Sequence, residues 1–211
     1  MWGSQRHPVF ARLYPRISRG AESSGGIEHR RTLLAGLDGR VIEVGAGHGL
    51  NFRHYPPTVT QVLAVEPEPH MRRLAVQAAT RSPVPIEVRD GTAEALPAQT
   101  GEFDAAVVSL VLCSVPDQHA ALNEIARVLR PGGELRFYEH VVAKQPGAAR
   151  IQRTLDATIY PFLAGGCHCS RDTGVAIRQA GFEVREEKRV VLKSGRLAPA
   201  VPHILGVALR P

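Results

Sequence analysis

The run Glu43-Val-Gly45-Ala-Gly47-His-Gly49 directly follows the short apolar stretch Val41–Val44. Glycines at such a strand exit let the backbone turn tightly and approach a ligand that a Cβ would keep away. The spacing is G-x-G-x-G rather than the dinucleotide pattern G-x-G-x-x-G, and a purely structural turn is the alternative reading. Glu66 closes a second apolar stretch, 17 residues after Gly49, with Pro67 next in line. A carboxylate there can accept both hydroxyls of a ribose; otherwise it caps a helix that starts at Pro67. Asp90-Gly91-Thr92-Ala93-Glu94 follows a third apolar stretch. An acid at that exit can take an adenine amino hydrogen while the turn backbone reads the ring edge, or Asp90 or Thr92 can cap a helix. Ser109 and Leu110 stand at the exit of a fourth. Loop and acids together point to a nucleoside cofactor held where successive strands end.

The elements that must position these residues follow from the apolar pattern. Strands are expected at Val41–Val44, Gln61–Val65, Val84–Arg89, Phe103–Ser109 and Glu134–Val142, with two more at about 182–192 and 203–209. The fourth is apolar on both faces, as in a central parallel strand. Helices are expected at 27–37, 67–81, 118–129, about 150–160 and 171–180. Leu122, Ile125, Ala126 and Leu129 share one face of the third of these, which stops at Arg130-Pro131-Gly132-Gly133. Such alternation implies a parallel sheet with helices on both faces, because parallel neighbours need crossovers. Residues 1–26 read as an N-terminal arm: a short helix from His7 to Arg19 interrupted at Pro15, then a flexible turn over Gly20–Gly26. The domain itself is placed at 27–211.

These positions, in this order, together with Val128-Leu-Arg-Pro-Gly-Gly133 before the fifth strand, resemble the class I S-adenosylmethionine-dependent methyltransferases. The likeness spans about 27–210. Asn51-Phe52, Tyr55-Pro56, Leu110–Val115, Glu139-His-Val141, the Cys167 to Arg171 stretch and Pro202-His-Ile204 with Gly206 are similar to the thiol S-methyltransferase branch known from vertebrates. The resemblance implies an α/β, Rossmann-like, seven-stranded, mainly parallel sheet with an antiparallel last strand. It implies S-adenosylmethionine as cofactor, bound by Glu43, Gly45, Gly47, Gly49, Glu66, Pro67, Asp90, Gly91, Thr92, Ala93, Ser109 and Leu110. It also implies a small thiol or sulfide as methyl acceptor. The chain departs from the branch in Gly-Ala-Gly-His-Gly for the usual G-C-G-T-G and in Glu66 for the commoner Asp, and the hydrophobic N-terminal anchor of the vertebrate members is not expected here.

A sulfonium is already an activated methyl donor, so alignment supplies much of the acceleration. An aliphatic thiol must still become a thiolate, and a free thiol titrates around 8.5. A histidine serves as base or cationic neighbour. His140, helped by His168 or His203, is the expected catalytic group; the structural alternative for His140 is a strand end tied to a loop. His48 reads as a spacer in the glycine loop, and Cys113 as a small buried hydrophobe. Cys167-His168-Cys169 has neither the spacing nor the four ligands of a usual zinc site, so no metal is expected, although His140 or His203 could complete a set.

Composition narrows the partners. Lys and Arg number 26 against 20 Asp and Glu, and all but Lys144, Lys188 and Lys193 are arginines, the mark of a GC-rich, bacterial coding bias. No basic run exceeds two residues and aromatics are 5%, which argues against nucleic acid as partner. The clamp that nucleic-acid amino methyltransferases place after the fourth strand is replaced by Ser109-Leu-Val-Leu112. Three cysteines cannot form a paired framework, Met1–Ser18 has no signal-peptide core and no apolar run spans a bilayer, so a cytoplasmic protein without an integral membrane segment is expected. The competing readings are O- or C-methylation of a small natural product, a nicotinamide-dependent oxidoreductase and a non-catalytic nucleoside-binding module.

Overall fold

Side chains alternate across a strand, so the apolar runs become strands that feed two cores. The computed structural model describes residues 8–158, 160–192 and 201–211. Its sheet contains β1 (Gly39–Val44), β2 (Val59–Val65), β3 (Ile86–Arg89), β4 (Phe103–Ser109), β5 (Leu129–His140), β6 (Glu183–Leu192) and β7 (Val201–Leu209) in the order β3-β2-β1-β4-β5-β7-β6. All neighbours are parallel except β7, which runs antiparallel to both β5 and β6. Strand order reverses between β1 and β4, and the cofactor crevice of such sheets lies at that switch.

One face of β1 presents Ile42 and Val44 to a core that includes Val108, Phe137 and Ile204. Helix α4 (Gln118–Val128) covers it with Ala121, Leu122, Ile125 and Val128, and α7 (Thr173–Gln179) with Ile177. The opposite face presents Val41, Val62, Val107 and Leu205 to Leu33 and Leu34 of α2 (Ile27–Leu34) and Ala75 of α3 (Pro69–Ala79). Carboxylates start three helices by accepting from free N–H groups: Glu68 from Met71, Asp117 from His119 and Ala120, Asp172 from Val175. Helices α5 (Pro146–Asp156) and α6 (Tyr160–Leu163) precede the loop that carries Cys167.

Several expectations are corrected in detail. The expected interruption at Pro15 and turn over Gly20–Gly26 are absent. Helix α1 (Pro8–Ala21) runs through Pro15 into a π-helical segment, Glu22–Gly26, and on into α2. Ala11 and Ser18 are buried on its inner side, and Tyr14 stands edge-on to His48, so tertiary packing overrides the propensities of proline and glycine in this segment. Pro131-Gly132-Gly133 lies within β5 rather than before it. A register shift opposite Phe103–Ala105 absorbs the proline, and the C-terminal backbone of Arg210 bonds both glycines. No helix follows Asp90; Thr92 and Ala95 close a tight turn instead.

The sheet's antiparallel edge depends on close backbone approach at Gly206, which pairs with Phe137 on one side and Glu187 on the other. A Cβ there would lie on the Glu186 carbonyl oxygen and 2.6 Å from Phe137 Cζ. Gly206→Ala is therefore expected to destabilise by about 3 kcal/mol, the upper end of overpacking costs. Gly47→Ala, whose Cβ would meet nothing within 4 Å but whose φ is +57°, should cost only about 1–2 kcal/mol of backbone strain. Urea unfolding of the two variants checks the ranking.

Candidate active site

The glycine loop leaves β1 with φ of +67° at Gly45, +57° at Gly47 and +82° at Gly49. Gly45 and Ala46 donate to the Val65 carbonyl, which locks the loop to the end of β2. Glu66 supplies the second lock: its Oε2 accepts from Gly47 N at 2.8 Å and its Oε1 from Glu68 N at 2.9 Å. Helix α3 is capped by Glu68, so the capping alternative for Glu66 falls away and its carboxylate belongs to the loop. Two of its roughly four lone-pair sites remain for a ligand. Burial raises its pKa against those two backbone bonds. A Cβ at Gly47 would point into open space, as a cradle for a ligand requires.

Asp90, Gly91, Thr92 and Ala93 leave β3 beside it, and Pro67 opens the stretch between β2 and α3. Arg72 donates to the Glu66 carbonyl at 2.7 Å and to Asp90 Oδ1 at 2.9 Å, tying the two strand exits together. Asp90 keeps 72% of its side chain exposed, whereas Ala93 is buried and Gly91 packs against Val65 and Pro97.

Glu43 is not at the surface of this crevice but behind the loop. It accepts from Asn51 Nδ2 at 3.0 Å and from the Tyr55 hydroxyl at 2.7 Å, and burial pushes its pKa up to about 7. Arg30 joins this network. Its guanidinium donates to Glu22 at 2.8 Å, to Asn51 Oδ1 at 2.8 Å and to Ser109 Oγ at 3.2 Å. The one sequence signal that bears on Arg30 is its place on the i, i+3, i+4, i+7 stripe with Leu33, Leu34 and Leu37. Ser18 Oγ lies 3.4 Å from His48 Nε2, while His48 Nδ1 is buried with no hydrogen-bond partner among the described residues. Burial, with Arg30 nearby, depresses that imidazole to about 4.

The acceptor-side residues converge at the carboxyl edge of β4 and β5. Glu139, fully buried, accepts from the N–H groups of Val111, Leu112 and Cys113 at 2.9–3.1 Å. The turn this enforces holds Leu110 at φ +61°, where its N–H donates to the Tyr138 carbonyl. It presents Cys113 Sγ 3.7 Å from His140 Nδ1, whose nearer partner is Cys167 Sγ at 3.1 Å. Burial lowers the His140 imidazole, but the Cys113 thiol and the Glu139 charge outweigh this and leave it above the ordinary value.

His203 pairs with His140 across β5 and β7, with ring centroids 4.4 Å apart, and stacks on Tyr138 at 5.0 Å. Its Nδ1 lies 2.9 Å from the Val201 carbonyl, which accepts and so fixes the proton on Nδ1. Among the described residues nothing partners the buried Nε2, and burial, with His140 beside it, depresses the ring to about 3.

His168 takes part through its backbone N–H, which donates to the Cys113 carbonyl at 2.8 Å. Cys169 turns away: its thiol donates to Asp156 at 3.2 Å. Arg171 donates to the carbonyls of Leu112 and Val115, and Gln152 to those of Val141 and Cys169. Tyr14 of α1 is half-buried, within electrostatic reach of Arg30, Cys113 and Cys167. Among the described residues, then, His140 and His203 come together with Cys113 and Cys167, which local spacing does not connect. Arg30, Arg72 and Tyr14 are additions that no motif announces.

Comparison with known proteins identifies the family. Residues 42–137 match the family model described as "Methyltransferase domain". The chain is similar to thiol S-methyltransferase TMT1B of Rattus norvegicus, 34% identical over 81% of this chain and 70% of that protein. It is 31% identical to thiol S-methyltransferase TMT1B of Homo sapiens over 96% of this chain and 84% of that one. A ubiquinone biosynthesis O-methyltransferase of Xanthomonas oryzae pv. oryzae is 38% identical over 66% of this chain and 57% of its own length. Among solved structures, a SAM-dependent methyltransferase from Thermotoga maritima superposes with a TM-score of 0.69 over 96% of this chain and 99% of its own, at 22% identity. No helix among the described residues is long and apolar enough to cross a membrane.

The raised pKa of Glu43 has a measurable consequence. Its folded value, about 7 against an ordinary 4.5, means that the stability it contributes is fully present below 4.5 and lost as pH rises through 7. Such a shift is worth on the order of 3 kcal/mol. His48 and His203, with depressed pKa values, run the opposite way, losing stability as pH falls. They cancel in the difference between wild type and Glu43→Gln. That difference in unfolding free energy should fall between about pH 4.5 and about pH 7 and level off above, as read by urea titrations at each pH.

Proposed function

We propose that this chain, which belongs to the S-adenosylmethionine-dependent methyltransferase family in the branch that holds the thiol S-methyltransferases, methylates the sulfur of a small aliphatic thiol or sulfide. It is a methyltransferase acting on small molecules, and S-adenosylmethionine is its cofactor. When bound, that cofactor supplies a methyl group already activated by sulfonium charge. The sulfur acceptor and the roles of single residues are the proposal.

The glycine loop and Glu66 fit the nucleoside: open space over Gly47 and two free lone-pair sites on a buried carboxylate suit a ribose diol. Asp90, Gly91, Thr92 and Ala93, braced by Arg72, form the wall for the base, with Pro67 at the entrance. Glu43 acts behind the loop by holding Asn51 and Tyr55. Arg30, beside Ser109 and Leu110, provides the positive charge suited to a carboxylate of the amino-acid part.

On the acceptor side the observation that carries the reading is His203 Nε2. It is a buried lone pair with no partner, on a ring whose proton is committed to Val201. A buried acceptor atom without a donor is costly unless a substrate supplies one. We assign it the S–H of the acceptor thiol as a hydrogen-bond partner that aligns the sulfur; a ring depressed to about 3 orients that proton, which leaves to solvent. Both cysteine thiols already face His140 Nδ1, so His140 holds the acceptor end rather than taking the proton, with His168 bracing Cys113 from its backbone. The relatives named as thiol S-methyltransferases favour sulfur over the oxygen of the O-methyltransferase relative.

Incubation with methyl-labelled S-adenosylmethionine and a panel of thiols, phenols and amines tests the acceptor: label is expected in alkyl thioethers, and label confined to phenol ethers overturns it. Glu66→Ala should weaken S-adenosylhomocysteine binding by roughly tenfold to a hundredfold, since each lost charged hydrogen bond costs about 1.5–3 kcal/mol; calorimetry measures it. His203→Ala should lower kcat by about 10²-fold with cofactor affinity intact, the cost of a misaligned acceptor. The deficit should shrink for more acidic aryl thiols, which arrive as thiolates with no S–H to align; an equal deficit for every thiol would reduce His203 to packing.

A further inference from the structure

Three soft or borderline donors from three separate elements meet beneath α1: Cys113 after β4, His140 at the end of β5, and Cys167 in the loop after α6. Their Sγ and Nδ1 atoms all lie within 4.8 Å of one another. Cys113 and Cys167 are 0% and 5% exposed. Zinc bonds of about 2.3 Å to sulfur and 2.0–2.1 Å to nitrogen set tetrahedral edges of about 3.6 Å for S···N and about 3.8 Å for S···S. The observed His140 Nδ1 distances, 3.7 Å to Cys113 Sγ and 3.1 Å to Cys167 Sγ, reach that geometry with shifts of about half an ångström.

The surroundings hold the donors in place before any ion arrives. Glu139 pins the Cys113 turn through three N–H groups, the His168 N–H joins the Cys167 loop to the Cys113 carbonyl, and Arg171 braces Leu112 and Val115. Cys169, the nearest competing thiol in sequence, is engaged by Asp156. This is the kind of second layer that orients metal ligands.

We infer that Cys113, His140 and Cys167 bind one zinc ion through two thiolates and an imidazole, leaving the fourth position for the sulfur of the methyl acceptor. Binding breaks the two cysteine S–H bonds, releases two protons to solvent and forms two S–Zn bonds and one N–Zn bond with no change of oxidation state. Two thiolates and Zn²⁺ sum to zero charge, which a buried site tolerates far better than a lone ion. Two thiolates and one histidine with an open position is a known catalytic ligand set, and soft ligands select zinc over magnesium or calcium. An incoming thiol exchanges its S–H bond for an S–Zn bond, its proton leaving to solvent as the two cysteine protons do. This last step rests on the thiol-acceptor reading; the metal site does not.

The test uses the full chain, stripped with a chelator under a phosphine reductant and titrated with Zn²⁺ or Co²⁺ alone. One Co²⁺ per chain with an intense thiolate-to-cobalt band in the near ultraviolet is expected. Cys113→Ser and Cys167→Ser should lose the band and weaken Zn²⁺ binding by at least about tenfold, while Cys169→Ser keeps both. If the first two variants do not fold, X-ray absorption of the wild-type zinc protein decides, with two sulfurs near 2.3 Å expected. Absence of a thiolate band, or a shell of oxygen and nitrogen only, overturns the site. Adding a short alkyl thiol should raise the sulfur count from two to three; an unchanged count overturns the fourth-ligand assignment. Methylation of thiols at the same rate by stripped protein would overturn the zinc role while sparing the thiol reading. A metal-loaded protein that methylates no thiol would do the reverse.

Discussion

Glu139 places a fully buried carboxylate at the carboxyl edge of β5, and it is tolerable there because three consecutive N–H groups point at it. An ionised carboxylate without partners would cost far more than a fold of this size has to spare. Hydrogen bonds to a charge contribute about 1.5–3 kcal/mol each, so three of them outweigh the roughly 1–3 kcal/mol of backbone strain expected of Leu110 at positive φ. The same bonds satisfy the N–H groups of a turn that has no ladder to join. Charge and turn are each untenable without the other, and their joint solution fixes where Cys113 stands relative to His140.

A second buried carboxylate does the equivalent work on the cofactor side. Glu43 sits behind the glycine loop with Asn51 and Tyr55 as its donors, and Arg30 reaches the same Asn51 from α2. Arg30 in turn holds Glu22 of the π-helical segment. The continuous helical path from α1 to α2 is thus anchored to the loop it covers by a chain of hydrogen bonds: Glu22, Arg30, Asn51, Glu43. Tyr14 and Ser18, one turn apart on α1, touch His48 in that loop. A change at the loop is felt along this path by the segment that covers both halves of the site.

What can be read from the sequence follows from the range of the forces involved. Strands β1, β2 and β4 announce themselves as apolar runs because the sheet is covered on both faces, and the glycine loop and Glu66 stand at fixed offsets from their ends. Those offsets are local, so they survive without tertiary knowledge. The antiparallel direction of β7 comes only with the family resemblance, and its place between β5 and β6 only with the structure, since no local pattern orders the last two strands. The cysteine arrangement misleads for the same reason. Cys167 and Cys169 are neighbours in sequence, but a turn carries Cys169 to Asp156 while Cys167 meets Cys113, 54 residues away. Arg30 looks like dispersed surface charge because its partners, Glu22, Asn51 and Ser109, lie on three other segments. The Pro131-Gly132-Gly133 phrase reads as a stop, and it is a bulged strand entry whose partner is the C-terminus.

The antiparallel direction of β7 is what brings its histidine to the site. Parallel strands deliver their last residues to the cofactor edge, as β1 delivers Val44 and β5 delivers His140. A parallel strand in β7's place would present its last residue, Leu209, at that edge. Running antiparallel, β7 instead places Leu209 opposite Glu134 and His203 opposite His140. Gly206, three residues further along, permits the close backbone approach that keeps this register. The unpartnered Nε2 of His203 is therefore a product of topology as much as of residue type: the one strand that breaks the parallel rule supplies a side chain that the rule would have put at the other end of the sheet.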